Sequence, residues 1–191
     1  DYDRWRSLGN AGWGYDDVLP YFRRSEANEI FSDAYHGTDG PLSVTTPHHH
    51  PLCERIVAAA QSVGIPFNPD FNGATQEGFG YNQWTLRKGL RSSAATAFLR
   101  PAKRRGNLRI ITRAHATRIL FSGKRATGVE YLRDGIPASA TARVEVVISG
   151  GSFNSPQLLQ LSGVGPASVS QRFGIGVVAD LPVGMNLQDH Y

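Results

Sequence analysis

The stretch Val144 to Gly165, VEVVISGGSFNSPQLLQLSGVG, constrains the fold more than any other part of this chain. Val144-Glu145-Val146-Val147-Ile148 is a β-branched run that predicts a buried strand. It enters Gly150-Gly151, where the backbone is free to turn sharply or to lie against a ligand. Ser155 is placed as a helix N-cap with Pro156 at the first helical position. Leu158, Leu159 and Leu161 give that helix apolar side chains, and Gly163 is its expected stop. Two readings stay open for this unit. It is a tight strand-to-helix packing turn, or it is an anion cradle in which free N–H groups and the positive end of the helix dipole meet.

At 191 residues the chain has room for one ordinary domain or two small ones. Such a chain buries about 70% of its unfolded surface, enough for a real core. The 21 glycines and 11 prolines predict short elements and many loops. A single cysteine, Cys53, excludes an internal disulfide framework and fits a reducing, cytoplasmic compartment, with membrane association left open. Cys53 falls in a predicted helix and reads as a small structural hydrophobe. No apolar run approaches the roughly 20 residues of a transmembrane segment. No signal peptide is visible, and the chain opens on DYDRW rather than Met, so a natural start elsewhere is expected. The net charge of +4 reads as scattered, with its densest cluster, Arg100 and Lys103-Arg104-Arg105, at a helix end that suits cations. Nothing in this pattern matches a nucleic-acid-binding module, so no nucleic-acid partner is expected.

Along the chain, Asp1 to Gly14 is aromatic and polar without a clear period. Asp16 or Asp17 is expected to cap a helix running to about Ala27, with Pro20 in its first turns. Gly37-Thr38-Asp39-Gly40-Pro41 reads as a turn and Leu42 to Thr45 as a short strand. His48-His49-His50 could suggest a metal. Successive residues of an extended chain point to opposite faces, however, and no carboxylate or thiolate sits at ligand spacing, so a solvated loop is the better reading. Pro51 opens a helix that Gly64 closes. Residues 78–86 read as a strand. Their GxG lacks a strand-to-helix context and is not read as a nucleotide motif. Lys88-Gly89 reads as a turn, and Ser92 or Ser93 caps a helix that Pro101 restricts.

From Asn107 the character changes. Strands are predicted over 108–112, 116–121, 127–132 and, with an interruption, 136–148. Ser122-Gly123-Lys124 and Asp134-Gly135 supply the turns. This is a β-meander leading into a strand–turn–helix unit. Pro166 then starts a helix that Gly174 stops, Val177-Val178 is a short strand, and Leu181 to His190 is a loop.

The positions Gly151-Ser152-x-x-Ser155-Pro156-x-Leu158-Leu159-x-x-Ser162-Gly163-Val164-Gly165 closely resemble the second signature of the glucose–methanol–choline (GMC) family of flavin oxidoreductases. The resemblance extends over Asp3-x-Trp5, GWGYDDVLPYFRRSE, HGTDGPLSV, PDFNG with QEGFG, RSSAATAFLRPA, NLRIITRAHATRILF, GKRATGVEY and LPVGMNLQDH, and is strongest to the choline dehydrogenase-like branch. It implies a mixed α+β and α/β fold: the central part of an FAD-binding fold together with a substrate domain built on an antiparallel sheet. Residues 1–34 would be a lid or connecting region, 35–106 part of the substrate domain, and 107–191 part of the FAD domain. The resemblance also implies four FAD-contacting positions. Ala116 stands where the family usually has valine, which keeps a backbone contact and shrinks the apolar one. Gly150, Gly151 and Ser152 align with the family's Ala-Gly-Ala against the dinucleotide. LPVGMNLQDH is one residue shorter than the usual loop.

The family's GxGxxG fingerprint, its first signature and its C-terminal catalytic histidine region are not in this sequence, and His190 does not match that histidine. No catalytic residue is therefore assigned, and the chain reads as the central third of a longer enzyme. The resemblance implies that the complete protein oxidises a small-molecule alcohol by passing hydride to flavin, with oxygen or a quinone as electron acceptor. The fragment alone is expected to hold FAD weakly and to turn over no alcohol. Two rival readings are a non-catalytic remnant or binding module, and a fatty acid photodecarboxylase. The reactive cysteine of the latter would fall at Ser149, where no thiol exists. Tyr81 and Trp84 could face a quaternary ammonium but read first as core.

Overall fold

The computed structural model describes residues 1–189, and the loop residue His190 lies outside them. The chain divides into two compact units, Asp1–Leu108 and Arg109–Tyr191.

The first unit opens with helix α1 (Tyr2–Ser7), where the sequence shows no helical period. What holds α1 is aromatic packing. Trp5 meets Tyr2 and Trp13 edge-on at 5.3 and 5.9 Å, and Tyr2 meets Phe22 at 5.7 Å. Helix α2 spans Tyr15–Ser25 with Gly14 as its N-cap. Neither Asp16 nor Asp17 is the cap: the Asp17 carboxylate reaches back and accepts from the Gly14 N–H at 2.9 Å. The helix ends at Ser25 because Glu26–Asn28 is drawn into strand β1, which runs parallel to β2 (Leu42–Val44). Helix α3 (Pro51–Ser62) is capped by the His50 ring, whose Nδ1 accepts from the Leu52 N–H at 3.1 Å. One member of the histidine run is thus a helix cap rather than loop filler.

The predicted strand over 78–86 is mostly irregular. It touches neighbours at two isolated bridges, Phe79 with Phe67 and Trp84 with Thr45. Regular pairing begins with the hairpin of β3 (Leu86–Arg87) and β4 (Leu90–Arg91) around Lys88-Gly89. The following helix is a π-turn over Ala95–Leu99 that passes into α4 (Arg100–Ala102), with Ser93 Oγ accepting from the Thr96 N–H.

In the second unit, β5 (Ala114–Ser122), β6 (Arg125–Arg133) and β7 (Ile136–Thr141) form the expected antiparallel meander. Asp134 and Gly135 both have positive φ, 50° and 81°, at the β6–β7 turn. The predicted strand at 108–112 does not form, because no strand among the described residues pairs with it and an isolated extended segment is unstable. The same holds for Val144–Ile148. Val144 and Val147 are 82% and 76% exposed, and no partner strand completes a ladder. Only Val146 and Ile148 turn inward, so the period-2 pattern survives without the hydrogen bonds of a strand.

Helix α5 covers Gly151–Leu161. It starts four residues before the predicted cap, so Ser155 and Pro156 lie inside it. Ser155 still serves the terminus, since its Oγ accepts from the Gly150 N–H at 3.0 Å. Gly163 ends the helix as expected, at φ 84°, where a side chain would collide with the Gly176 carbonyl oxygen. Strand β8 (Val164–Gly165) pairs in parallel with β9 (Ala179–Asp180), two residues beyond the predicted Val177-Val178. Between them, α6 (Ala167–Arg172) follows Pro166, and Gly174 follows α6 at φ 67°. The core of this unit is the contact of β5 with α5. Ile119 is 3% exposed, and its N–H donates to Ser162 Oγ at 2.8 Å, while that hydroxyl donates onward to the Leu158 carbonyl. One side chain at the helix end thereby satisfies an outward N–H on the edge strand of the meander.

Candidate functional site

Helix α5, strand β5 and the extended segment 146–150 enclose a cavity of about 620 Å³. From β5 come His115, Ala116 and Ile119, and Ser149 and Gly150 close one side. The helix contributes Asn154, Gln157, Leu158 and Leu161, which stand at i, i+3, i+4 and i+7 and so share one face. The wall is apolar at Ile119, Leu158 and Leu161, with polar atoms from His115, Ser149, Asn154 and Gln157. That mix suits a mostly apolar ligand with a few hydrogen-bonding groups.

Of the four expected cofactor residues, the cavity brings together Ala116 and Gly150. Ala116 pairs with Tyr131 on β6, next to a register shift in β5. Gly151, at φ 86°, and Ser152 form the exposed first turn of α5 and do not line the cavity. The anion-cradle reading is weakened at one donor, because the Gly150 N–H is already taken by Ser155. Asn154 and Gln157 went unrecognised in the sequence, although the helical spacing from Asn154 to Leu161 carried the signal.

A second polar centre, in the first unit, escaped sequence reasoning. His36 is 3% exposed and sits between two carboxylates. Its Nδ1 lies 3.2 Å from both Glu26 oxygens, and its Nε2 lies 2.8 Å from Asp70 Oδ2. Asn28 braces the group: its Nδ2 contacts Glu26 and Gln83, and its Oδ1 accepts from the Ile30 and Phe31 N–H groups. The loop reaches this position because Gly37 lies against the Arg23 carbonyl oxygen, where any side chain would clash. Burial alone would push the His36 imidazole down, but the hydrogen bonds to Asp70 and then Glu26, with their charges, raise its pKa above the ordinary value. With Nε2 directed at Asp70, and Nδ1 facing both the Glu26 carboxylate and the Asn28 Nδ2 at 3.1 Å, the His36 ring ties these segments together. Asp33, His36 and Asp70 could converge on a metal ion. Their atoms are already engaged, since Asp33 Oδ1 accepts from the Tyr35 and His36 N–H groups. The Tyr81 face, which could have met a cationic ligand, is stacked on His49 at 3.9 Å.

The family model for GMC oxidoreductase matches residues 1–191. This chain belongs to the GMC oxidoreductase family. Among GMC relatives, the human "Choline dehydrogenase, mitochondrial" is 47% identical over 192 residues, covering 100% of this chain and 32% of that protein. The "Oxygen-dependent choline dehydrogenase" of Stenotrophomonas maltophilia (strain K279a) is 51% identical over 195 residues, covering 100% of this chain and 35% of that protein. The chain thus spans about a third of the length of the curated relatives it matches. Among solved structures, pyridoxine 4-oxidase from Mesorbium loti superposes with a TM-score of 0.87 at 31% identity, over 95% of this chain and 36% of that one. An FAD-dependent oxidoreductase from Chaetomium thermophilum gives 0.86 at 30% identity, over 95% and 34%. The mixed helix and sheet of this GMC chain is therefore part of a larger oxidoreductase fold. Among the described residues, no helix is long and apolar enough to cross a membrane.

Proposed function

We propose that this chain supplies one wall of the FAD site in a GMC oxidoreductase that converts an alcohol to an aldehyde or ketone. The supporting observation is the cavity that joins Ala116 and Gly150 to one face of α5. Its residues fit a dinucleotide. Ala116 and Gly150 are small enough for close approach, Ile119, Leu158 and Leu161 supply apolar wall, and Asn154, Gln157 and His115 offer hydrogen-bonding groups along it. Bound FAD supplies the acceptor for the hydride lost from the alcohol carbon. The division after Leu108 supports assigning residues 107–191 to the FAD domain, while the connecting region 1–34 and the substrate-domain part 35–106 belong to one compact unit joined by the β1–β2 pair. No residue of this chain is proposed as the catalytic base, since His36 is committed to two carboxylates. The relatives' names make choline the first alcohol to test and oxygen the first acceptor.

The test uses the protein expressed with its flanking coding sequence. It is expected to purify with bound flavin and to oxidise choline, and Ala116→Trp is expected to lower its flavin content while the protein stays folded. A protein that neither carries flavin nor takes up added FAD overturns the proposal. Residues 1–191 alone are expected to bind FAD weakly and to turn over no alcohol.

A further inference from the structure

Between Glu77 and Glu130 the chain has no acidic residue, yet 12 of its 20 lysines and arginines fall there. The charge is concentrated rather than scattered, and within the first unit the fold gathers part of it into one groove. The β3–β4 hairpin brings Arg87, Lys88 and Arg91 against the helical turn that carries Arg100 and Arg104, around a cavity of about 450 Å³. No carboxylate lines it. Elsewhere among the described residues, Arg6, Arg113 and Arg118 each find an acidic partner, whereas none of the five groove cations is in an ion pair. Five cationic residues around one concavity, with no carboxylate among its lining, give it a positive potential. Four of the five are arginines, whose planar forks match phosphate oxygens two at a time. Ser92 and Thr96 also line the groove and add hydroxyls.

We propose that this groove binds the phosphate group of a small soluble ligand. It draws on the first unit alone and does not depend on the FAD reading. The hairpin register, Leu86 with Arg91 and Arg87 with Leu90, holds two of the arginines on a short rigid frame, so an incoming anion meets cations that are already assembled.

Inorganic pyrophosphate is the probe, titrated calorimetrically at low salt into the protein expressed with its flanking coding sequence. One saturable site is expected, weakening steeply as salt rises. The triple variant R87Q/R100Q/R104Q is expected to weaken binding at least about tenfold, and the exposed single changes Lys88→Gln and Arg104→Gln about threefold each. The single changes keep the test decisive should the triple variant misfold. Arg55→Gln, a cation outside the groove, leaves affinity unchanged. Vesicles of phosphatidylglycerol and of phosphatidylcholine form the second arm. Binding to anionic vesicles without pyrophosphate binding assigns the groove to a lipid headgroup and overturns the soluble-ligand proposal. Absence of saturable pyrophosphate binding, or equal affinity in the groove variants, overturns it as well.

Discussion

His36→Gln removes the imidazole shared by three segments of the first unit: β1 through Glu26, its own loop, and the 68–73 loop through Asp70. The two carboxylate side chains are 19% and 11% exposed, so water screens them poorly once the imidazole is gone. Removing one partner of such a buried pair costs about 3–5 kcal/mol, and the residual exposure argues for the lower end, about 3 kcal/mol. For a chain of this length that lowers Tm by about 6–12 °C. The loss depends on pH in a definite sense. The folded pKa of His36 is raised above the ordinary 6.5. Its contribution is therefore fully present below about pH 6.5 and fades as pH rises through the folded pKa. Thermal melts followed by circular dichroism should show the widest gap between wild type and His36→Gln near pH 6, narrowing in alkali. A gap that stays constant or widens with rising pH refutes a raised folded pKa, and a gap below about 2 °C refutes the magnitude.

Three further outcomes follow from the geometry. Ser162→Ala orphans the buried Ile119 N–H and should cost about 1–3 kcal/mol, seen in denaturant melts and as faster hydrogen exchange at the Ile119 amide. Gly163→Ala forces a side chain onto φ 84° and into the Gly176 carbonyl oxygen, and should destabilise by at least about 1 kcal/mol in the same melts. The Tyr35 N–H hydrogen bond holds the Asp33 carboxyl below its ordinary 3.8, outweighing the opposing effect of burial. Its contribution is thus present above about pH 3.8 and lost as pH falls through the lower folded value, so a carbon-detected titration midpoint at or above 3.8 contradicts the geometry.

What the sequence determined by itself was local. The Asp134-Gly135 turn, the meander around it, the proline start of α3 and the Gly163 stop each depend on a few neighbouring residues, whose backbone preferences are the same in any surroundings. The GMC signature was legible for a related reason, being a contiguous run of fifteen positions from Gly151 to Gly165. The tertiary structure alone decided everything that needed a distant partner. Val144–Ile148 has every strand preference and no ladder, because a strand exists only when another backbone accepts its hydrogen bonds. Strands β1, β8 and β9 are two or three residues long, too short for a period to show. Helix α5 begins at Gly151 rather than beyond Ser155, since the Ser155 hydroxyl reaches back to Gly150 from inside the first turns. Glu26, His36 and Asp70 are far apart in the chain and meet only because a parallel strand pair and a close-lying Gly37 bring them together. Val144 to Gly165 thus carries the family identity in its residue order, while the cavity it helps enclose was created by packing against β5.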